Sequence, residues 1–192
     1  MLSVAHQQPA TELDDATLRR AMRGDGDATR RMVELYQDRV FALVSRMLSG
    51  RGRATIEDIA QDTFLAVFRR LAQFDLRGSA KLSTWILTIA ARRAIDELRK
   101  QRPVLLAEPD RDRAGESRTD ERTQRRELAL VIEAALRDLS PELRAAFLLR
   151  EYHGLEYAAI ATALQIDLGT VKSRLARARA GLRERLAEVV TP

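Results

Sequence analysis

The 192-residue chain is 45% hydrophobic, 32% charged and 5% aromatic, with a formal net charge of +5, which suits helices packed around one large or two small cores. It has no cysteine and only two histidines, His6 and His153, so disulfides, thiol redox chemistry and thiolate metal sites are excluded, and neither metal nor cofactor is expected. The longest apolar stretch, Trp85–Ala91, is too short for a bilayer, and no charged-then-apolar signal segment opens the chain; the expectation is a cytoplasmic protein without membrane insertion.

Residues 1–13 are mixed and polar, with Pro9, and read as a loose tail. A short helix can run from Asp15 to about Arg23, stopped by Gly24-Asp25-Gly26. Met32, Leu35, Tyr36, Val40, Leu43, Val44, Met47 and Leu48 then line one side of a long helix ending at Gly50. Thr55 opens the next helix, with Asp58 three residues on approximating a capping box. Ile56, Ile59, Ala60, Phe64, Val67 and Leu71 supply its buried side, while Glu57, Asp58, Gln61 and Asp62 crowd its first two turns. Acids there are favoured by the helix dipole alone, which is the plain account of that patch.

Phe74–Leu82 is a loop carrying Asp75, Arg77, Gly78 and Lys81. A helix starting near Ser83 buries Trp85, Ile86, Ile89, Ala90, Ile95 and Leu98, and turns Arg92, Arg93 and Asp96 to its other side before Arg99-Lys100 and Pro103. These helices make one all-α domain, residues 14–102. Residues 103–120, with Pro103, Pro109, Gly115 and alternating charges, form a flexible polyampholyte linker. Leu128, Val131, Ile132, Ala135, Leu136 and Leu139 resume the helical period, and Ser140-Pro141-Glu142 is a strong helix start. A second helical domain therefore spans residues 121–190.

Its end carries the most specific signal. Tyr157, Ile160, Ala161 and Leu164 give a short amphipathic helix, Gln165–Gly169 is turn-length, and Gly169-Thr170 reads as a turn with Thr170 as N-cap. Val171, Leu175, Ala178, Leu182 and Leu186 make one apolar stripe, leaving Lys172, Ser173, Arg177 and Arg183 free to face outward. That is a helix-turn-helix whose second helix suits a DNA major groove; the bland alternative is a solvated basic face on a helical hairpin. No Gly-rich phosphate loop, histidine dyad or nucleophile elbow occurs, so the chain does not read as an enzyme.

Three stretches resemble bacterial sigma factors. Glu57–Phe68 is similar to their region 2 core-binding helix, Phe74–Gly78 with Thr84–Ala90 to the strand-opening part of that region, and Gly169–Leu175 with Arg177-Ala178-Arg179 to the region 4 recognition helix. Two regions joined by a short linker resemble the extracytoplasmic-function (ECF) group. The resemblance implies a dissociable subunit of core RNA polymerase that recognises the -35 and -10 promoter elements and stabilises the melted strand, under an anti-sigma factor. Carried onto this chain, it implies polymerase contacts at Asp58, Gln61, Asp62 and an exposed Phe64. For the proximal element it implies the loop 74–83 and the following helix start. There Arg77, Lys81, Ser83, Thr84, Arg92, Arg93 and Arg99 would meet the strand, and Trp85 either stacks on a base or, as its spacing with Ile89 favours, belongs to the core. For the distal duplex it implies Thr170, Lys172, Ser173, Arg174, Arg177 and Arg179.

The chain departs from the family pattern at Arg92, where asparagine is frequent, at Ala159, where a glutamate usually precedes Ile-Ala, and at Ala176, where some relatives carry a bulkier reader. Eighteen linker residues reach at most about 60 Å, enough, with the domains themselves, for elements roughly 70 Å apart. The competing reading is an autonomous helix-turn-helix repressor or activator, which predicts tight binding to a palindrome without polymerase. A protein-only helical adaptor is disfavoured by the basic last helix.

Overall fold

The computed structural model describes residues 12–78, 80–100 and 120–190, with side chains for 12–78, 80–100 and 129–187. The tail 1–13 and the linker 103–120 lie outside these residues, except for Glu12, Leu13 and Asp120. The fold is all-α, in two helical domains.

The first contains α1 (Asp15–Met22), α2 (Gly26–Met47), α3 (Arg53–Arg70), a 3₁₀ turn (Leu71–Gln73) and α4 (Leu82–Lys100). Asp14 and Asp25 cap α1 and α2, their carboxylates accepting from the N–H groups of Thr17 and Ala28 at 2.9 Å. The stripe on α2 is buried as its period requires: Met32, Val40, Leu43, Val44 and Met47 are sealed from solvent. The expected capping box on α3 is absent. The helix begins two residues earlier, at Arg53, behind Gly52 with no side-chain cap, so Thr55 lies inside the first turn.

On α4 the buried set is wider than one stripe. Leu87, Ala91 and Ala94 are buried along with Ile86, Ile89, Ala90 and Ile95, because α2 and α3 cover one side while α6 and α7 cover another. Two residues assigned to the tail are docked. The Leu13 N–H donates to the Tyr36 hydroxyl at 2.9 Å, and that hydroxyl donates to the Glu12 carboxylate at 3.1 Å. Burial pushes the Tyr36 hydroxyl pKa up.

The second domain contains α5 (Asp120–Asp138), α6 (Pro141–Glu151), α7 (Tyr157–Leu164) and α8 (Leu168–Val190). Ser140 caps α6 with proline at its start, as its sequence signals. Leu136, Leu148, Leu149, Ile160, Val171, Leu175 and Ala178 form its core. This domain packs directly on the first, α7 and α6 against α4 and α6 against α2.

Candidate nucleic-acid interface

The turn of the helix-turn-helix is built by Gln165, which adopts a left-handed conformation (φ 55°, ψ 49°) and ends α7 by donating its N–H into the last turn. The Ile166 N–H closes back on the Ala161 carbonyl at 3.0 Å, satisfying another carbonyl that a helix end leaves open. The chain then enters α8 at Leu168, two residues before the expected N-cap. Asp167 holds the cap. Its carboxylate accepts the Thr170 N–H at 2.7 Å and the Thr170 hydroxyl at 2.5 Å, and these bonds, the hydroxyl's first, hold its pKa below the usual carboxylate range. Thr170 is thus the partner of the cap. An aspartate three residues ahead of a threonine was the available signal, masked by the Gly-Thr dipeptide.

Val171, Leu175 and Ala178 are sealed and Leu182 is 7% exposed, so α8 docks by the predicted stripe. Lys172, Ser173, Ala176 and Arg177 face solvent. The Ser173 hydroxyl donates to the Thr170 carbonyl at 3.0 Å, leaving its lone pairs outward. Arg174 is half-buried. Arg179 forks onto the Glu151 carboxylate at 2.6 and 3.2 Å, a bond that raises its pKa further. Among the expected distal contacts, Lys172, Ser173 and Arg177 form one outward face, and Arg179 is tied to α6.

The α3 patch is also exposed: Asp58, Gln61 and Asp62 face solvent. Since α3 begins at Arg53, Gln61 and Asp62 lie beyond its first two turns, out of reach of the terminal dipole. Phe64 is not the exposed aromatic expected beside them. It is 9% exposed, following the buried stripe on which its own spacing places it, and the exposed apolar surface belongs to Leu65 at 45% and Phe68 at 38%. Phe68 sits one turn after Phe64, with ring centroids 6.3 Å apart.

At the start of α4 the arrangement differs from a free row of contacts. Ser83 is 3% exposed; its hydroxyl donates to the Glu12 carboxylate, and its N–H donates to the same carboxylate at 3.3 Å. Glu12 therefore caps α4 from across the domain. Arg77 and Lys81 are exposed and Thr84 half-buried. Trp85 is half-buried against the core, its ring 5.3 Å from that of Phe74. Arg93 stands 4.0 Å from Asp62 on α3. Arg92 and Arg99 are turned to the second domain. Arg92 Nε donates to the Ala163 carbonyl at 2.7 Å, and Arg99 donates to Glu142 at 2.6 Å. Sequence reasoning placed Arg92 on the outer side of α4 and Arg99 at its end, with no means of seeing that α7 and α6 supply their partners.

Comparison with known proteins agrees with this architecture. The Sigma-70 region 2 family model matches residues 32–104, and the Sigma-70, region 4 model matches residues 129–182. The RNA polymerase sigma-H factor of Pseudomonas aeruginosa is 33% identical over 88% of this chain and 91% of its own length. The ECF RNA polymerase sigma factor SigW of Bacillus subtilis is 30% identical over 90% of this chain and 96% of its own. The chain belongs to the ECF group of RNA polymerase sigma factors. Members of this family are regulators of transcription initiation, not enzymes as such. Solved structures share the fold at 24% identity: CnrH in complex with the cytosolic domain of CnrY covers 90% of this sigma factor with a TM-score of 0.64. RpoE from Bartonella quintana, in complex with the anti-sigma factor NepR, covers 85% with a TM-score of 0.65. Among the described residues of this sigma factor, no helix is long and apolar enough to cross a membrane.

Proposed function

We propose that this sigma factor carries core RNA polymerase to promoters, reads the distal (-35) element as duplex through α8, and holds the melted proximal (-10) strand along α4. The carrying observation is the outward face of α8, where Lys172, Ser173 and Arg177 stand exposed opposite the sealed Val171, Leu175 and Ala178. An amine, a hydroxyl and a guanidinium on the first turns of a recognition helix are the groups that reach base edges. Arg77 and Lys81, exposed before and beside the α4 start, supply cations for the single strand's phosphates.

Polymerase capture is assigned to the α3 face. Asp58, Gln61 and Asp62, with Leu65 and Phe68 exposed on the same helix, combine acids with apolar area, a surface that suits a basic partner. An anti-sigma factor is proposed as a further partner, in keeping with the complexes formed by CnrH and RpoE.

A single module of this kind buries only about 600–1,000 Å² on DNA, so each domain alone binds weakly and polymerase supplies the rest. Run-off transcription by purified core polymerase over a promoter pool, with and without this chain, is the test. Chain-dependent transcripts from sites with unequal half-elements support the reading. Failure to join polymerase, together with tight binding to a symmetric operator, supports an autonomous repressor instead.

A further inference from the structure

A cleft of about 300 Å³ opens where α2 meets the connection between α6 and α7, lined by Asp38, Arg39, Ala42, Arg46, Tyr152 and His153. Arg39, Ala42 and Arg46 fall on one face of α2, three and seven residues apart. The two arginines therefore stand two turns from each other, about 10 Å along the axis, and the short side chain of Ala42 leaves a trough between them. Arg46 is folded back over that trough. Its Nη1 donates to the Ala42 carbonyl at 3.1 Å, and its guanidinium lies over the Tyr152 ring, 4.6 Å from the centroid, at cation–π distance.

The facing wall is the end of α6. There the His153 N–H closes on the Leu148 carbonyl at 3.2 Å, and Gly154, with φ 66°, turns the chain toward α7. The carbonyls of Leu148, Leu149 and Arg150 all accept backbone N–H groups, so the negative end of this helix is already satisfied.

The cleft holds unmet donors. Among the described residues neither Arg39 nor Arg46 has a carboxylate partner. Arg39 Nη1 and His153 Nε2 are buried without a hydrogen-bond partner, two of only three such side-chain atoms among the described residues. Folded chains rarely leave such groups unmet, and here two of them belong to one cleft. Both side chains are half-buried as wholes, so a small rotation turns either nitrogen onto a guest. Burial first, and then the charges of Arg39 and Arg46, push the His153 pKa down to about 4, which places both guanidinium groups within electrostatic reach of the ring.

We propose that this cleft binds the diphosphate group of a small molecule, with Arg39 and Arg46 at its two ends and the His153 ring on the facing wall. A carboxylate offers two oxygens in one plane, which a single guanidinium fork saturates. Two guanidinium groups two turns apart, with an imidazole opposite, call for an anion of more oxygens and greater span, which two linked phosphoryl groups supply. The guest's charge also offsets the arginines, so the imidazole takes up a proton more readily when the cleft is filled. Asp38 is the one acid of the lining. It is exposed, so water and salt screen its repulsion. The site stands independently of the function proposed above.

The test uses the full chain in phosphate-free buffer, with inorganic pyrophosphate as the probe and orthophosphate and ADP as comparisons. Binding is read by isothermal titration, and its place by NMR of the imidazole rings, since His6 and His153 are the only histidines. Saturable one-to-one binding is expected, tighter for pyrophosphate than for orthophosphate, with the His153 resonances moved and those of His6 unmoved. Arg39→Met should weaken binding at least about tenfold, as when charge-assisted hydrogen bonds are removed. Asp38→Asn should tighten it about threefold by removing an exposed like charge. Lys172→Ala with Arg177→Ala, which strips exposed cations from α8, should leave pyrophosphate binding as it is. ADP bound as tightly as pyrophosphate or more so makes a nucleotide the source of the diphosphate, and ADP bound more weakly makes the free diphosphate the source; the site stands on either result.

No saturable binding, unmoved His153 resonances, or wild-type affinity in Arg39→Met with helix content intact by circular dichroism overturns the site. Binding lost in the Lys172/Arg177 variant places the anion on α8 and overturns it too. Should Arg39→Met disturb the fold, Asp38→Asn decides alone: tighter binding supports the cleft and unchanged affinity overturns it.

Discussion

His153 makes the closed arrangement, in which the two domains pack on each other, sensitive to pH in one direction. It lies in the α6–α7 connection beside Tyr152, and faces Asp38, Arg39 and Arg46 of α2 across a small cleft between the domains. Its Nε2 is buried without a hydrogen-bond partner. Burial first, then the charges of Arg39 and Arg46, push its pKa from the ordinary 6.5 down to about 4. Separating the domains removes both arginines and much of the burial, returning the imidazole toward its ordinary value. The closed state then binds fewer protons than the open one, so this contribution to closure is complete above pH 6.5 and is lost as pH falls toward 4. At pH 5.5 the closed-to-open ratio falls about tenfold, and below pH 4 the loss levels off at about 3 kcal/mol. Energy transfer between dyes on Glu34→Cys and Glu184→Cys, exposed positions on α2 and α8 of a chain without native cysteine, recorded from pH 7.5 to 5, should report the opening. His153→Gln, which cannot charge, should flatten the curve; the only other histidine is His6. Equal slopes in the two proteins, or no slope in the wild type, would refute the reasoning.

Four further outcomes are expected. Arg177→Ala should cost about 1–3 kcal/mol of promoter binding by the holoenzyme if its guanidinium reads a base, with discrimination lost at one position of the distal element; uniform weakening on every sequence, in a competition assay, marks a phosphate contact. Asp58→Lys with Asp62→Lys should weaken core polymerase capture by surface plasmon resonance while leaving the helix-turn-helix untouched, and unchanged capture removes α3 from the interface. Asp167→Ala should lower the melting temperature of the second domain and Asp167→Ser should restore most of it, because both serine and aspartate accept from the N–H groups of a first turn; equal melting of all three would contradict the cap. Tyr36→Phe should cost about 1–2 kcal/mol in chemical unfolding, since the hydroxyl of this buried residue bridges the Leu13 N–H and the Glu12 carboxylate, and a value near zero would mean that residues 12–13 are not held.

Helix positions and buried stripes were legible because they depend on local period. Met32, Val40 and Val44 on α2, and Val171, Leu175 and Ala178 on α8, are sealed as their spacing requires. Helix starts were legible where the capping residue adjoins a strong punctuator, as at Ser140-Pro141, and misplaced where a weaker motif competed. Gly169-Thr170 drew the start of α8 away from Asp167, and Thr55 drew the start of α3 away from Gly52-Arg53. Phe64 shows a different limit: its period placed it inside and the family resemblance placed it outside, and the period was the better guide to its exposure. What could not be read at all are bonds between residues distant in the chain. Ser83 with Glu12 and Arg92 with Ala163 are each 71 positions apart, and no periodicity encodes such pairings.

The closed arrangement also implies an order of events. Asp58, Gln61 and Asp62 on α3, and Lys172, Ser173 and Arg177 on α8, face solvent with the domains together, whereas Arg92 is held to the α7 carbonyls until they part. Polymerase can therefore engage the closed chain through α3 before any opening, and its binding free energy is the natural source of the work that separates the domains. DNA alone is a poor opener. A single helix-turn-helix gains no extra contact from separation, because its reading face is already exposed, and a ligand that binds both states equally shifts neither. With dyes on Glu34→Cys and Glu184→Cys, both exposed, excess polymerase converts the chain to low energy transfer while excess distal-element duplex alone leaves it high. Opening by duplex without polymerase would mean that α8 binds DNA better in the open chain, and the order would have to be reversed.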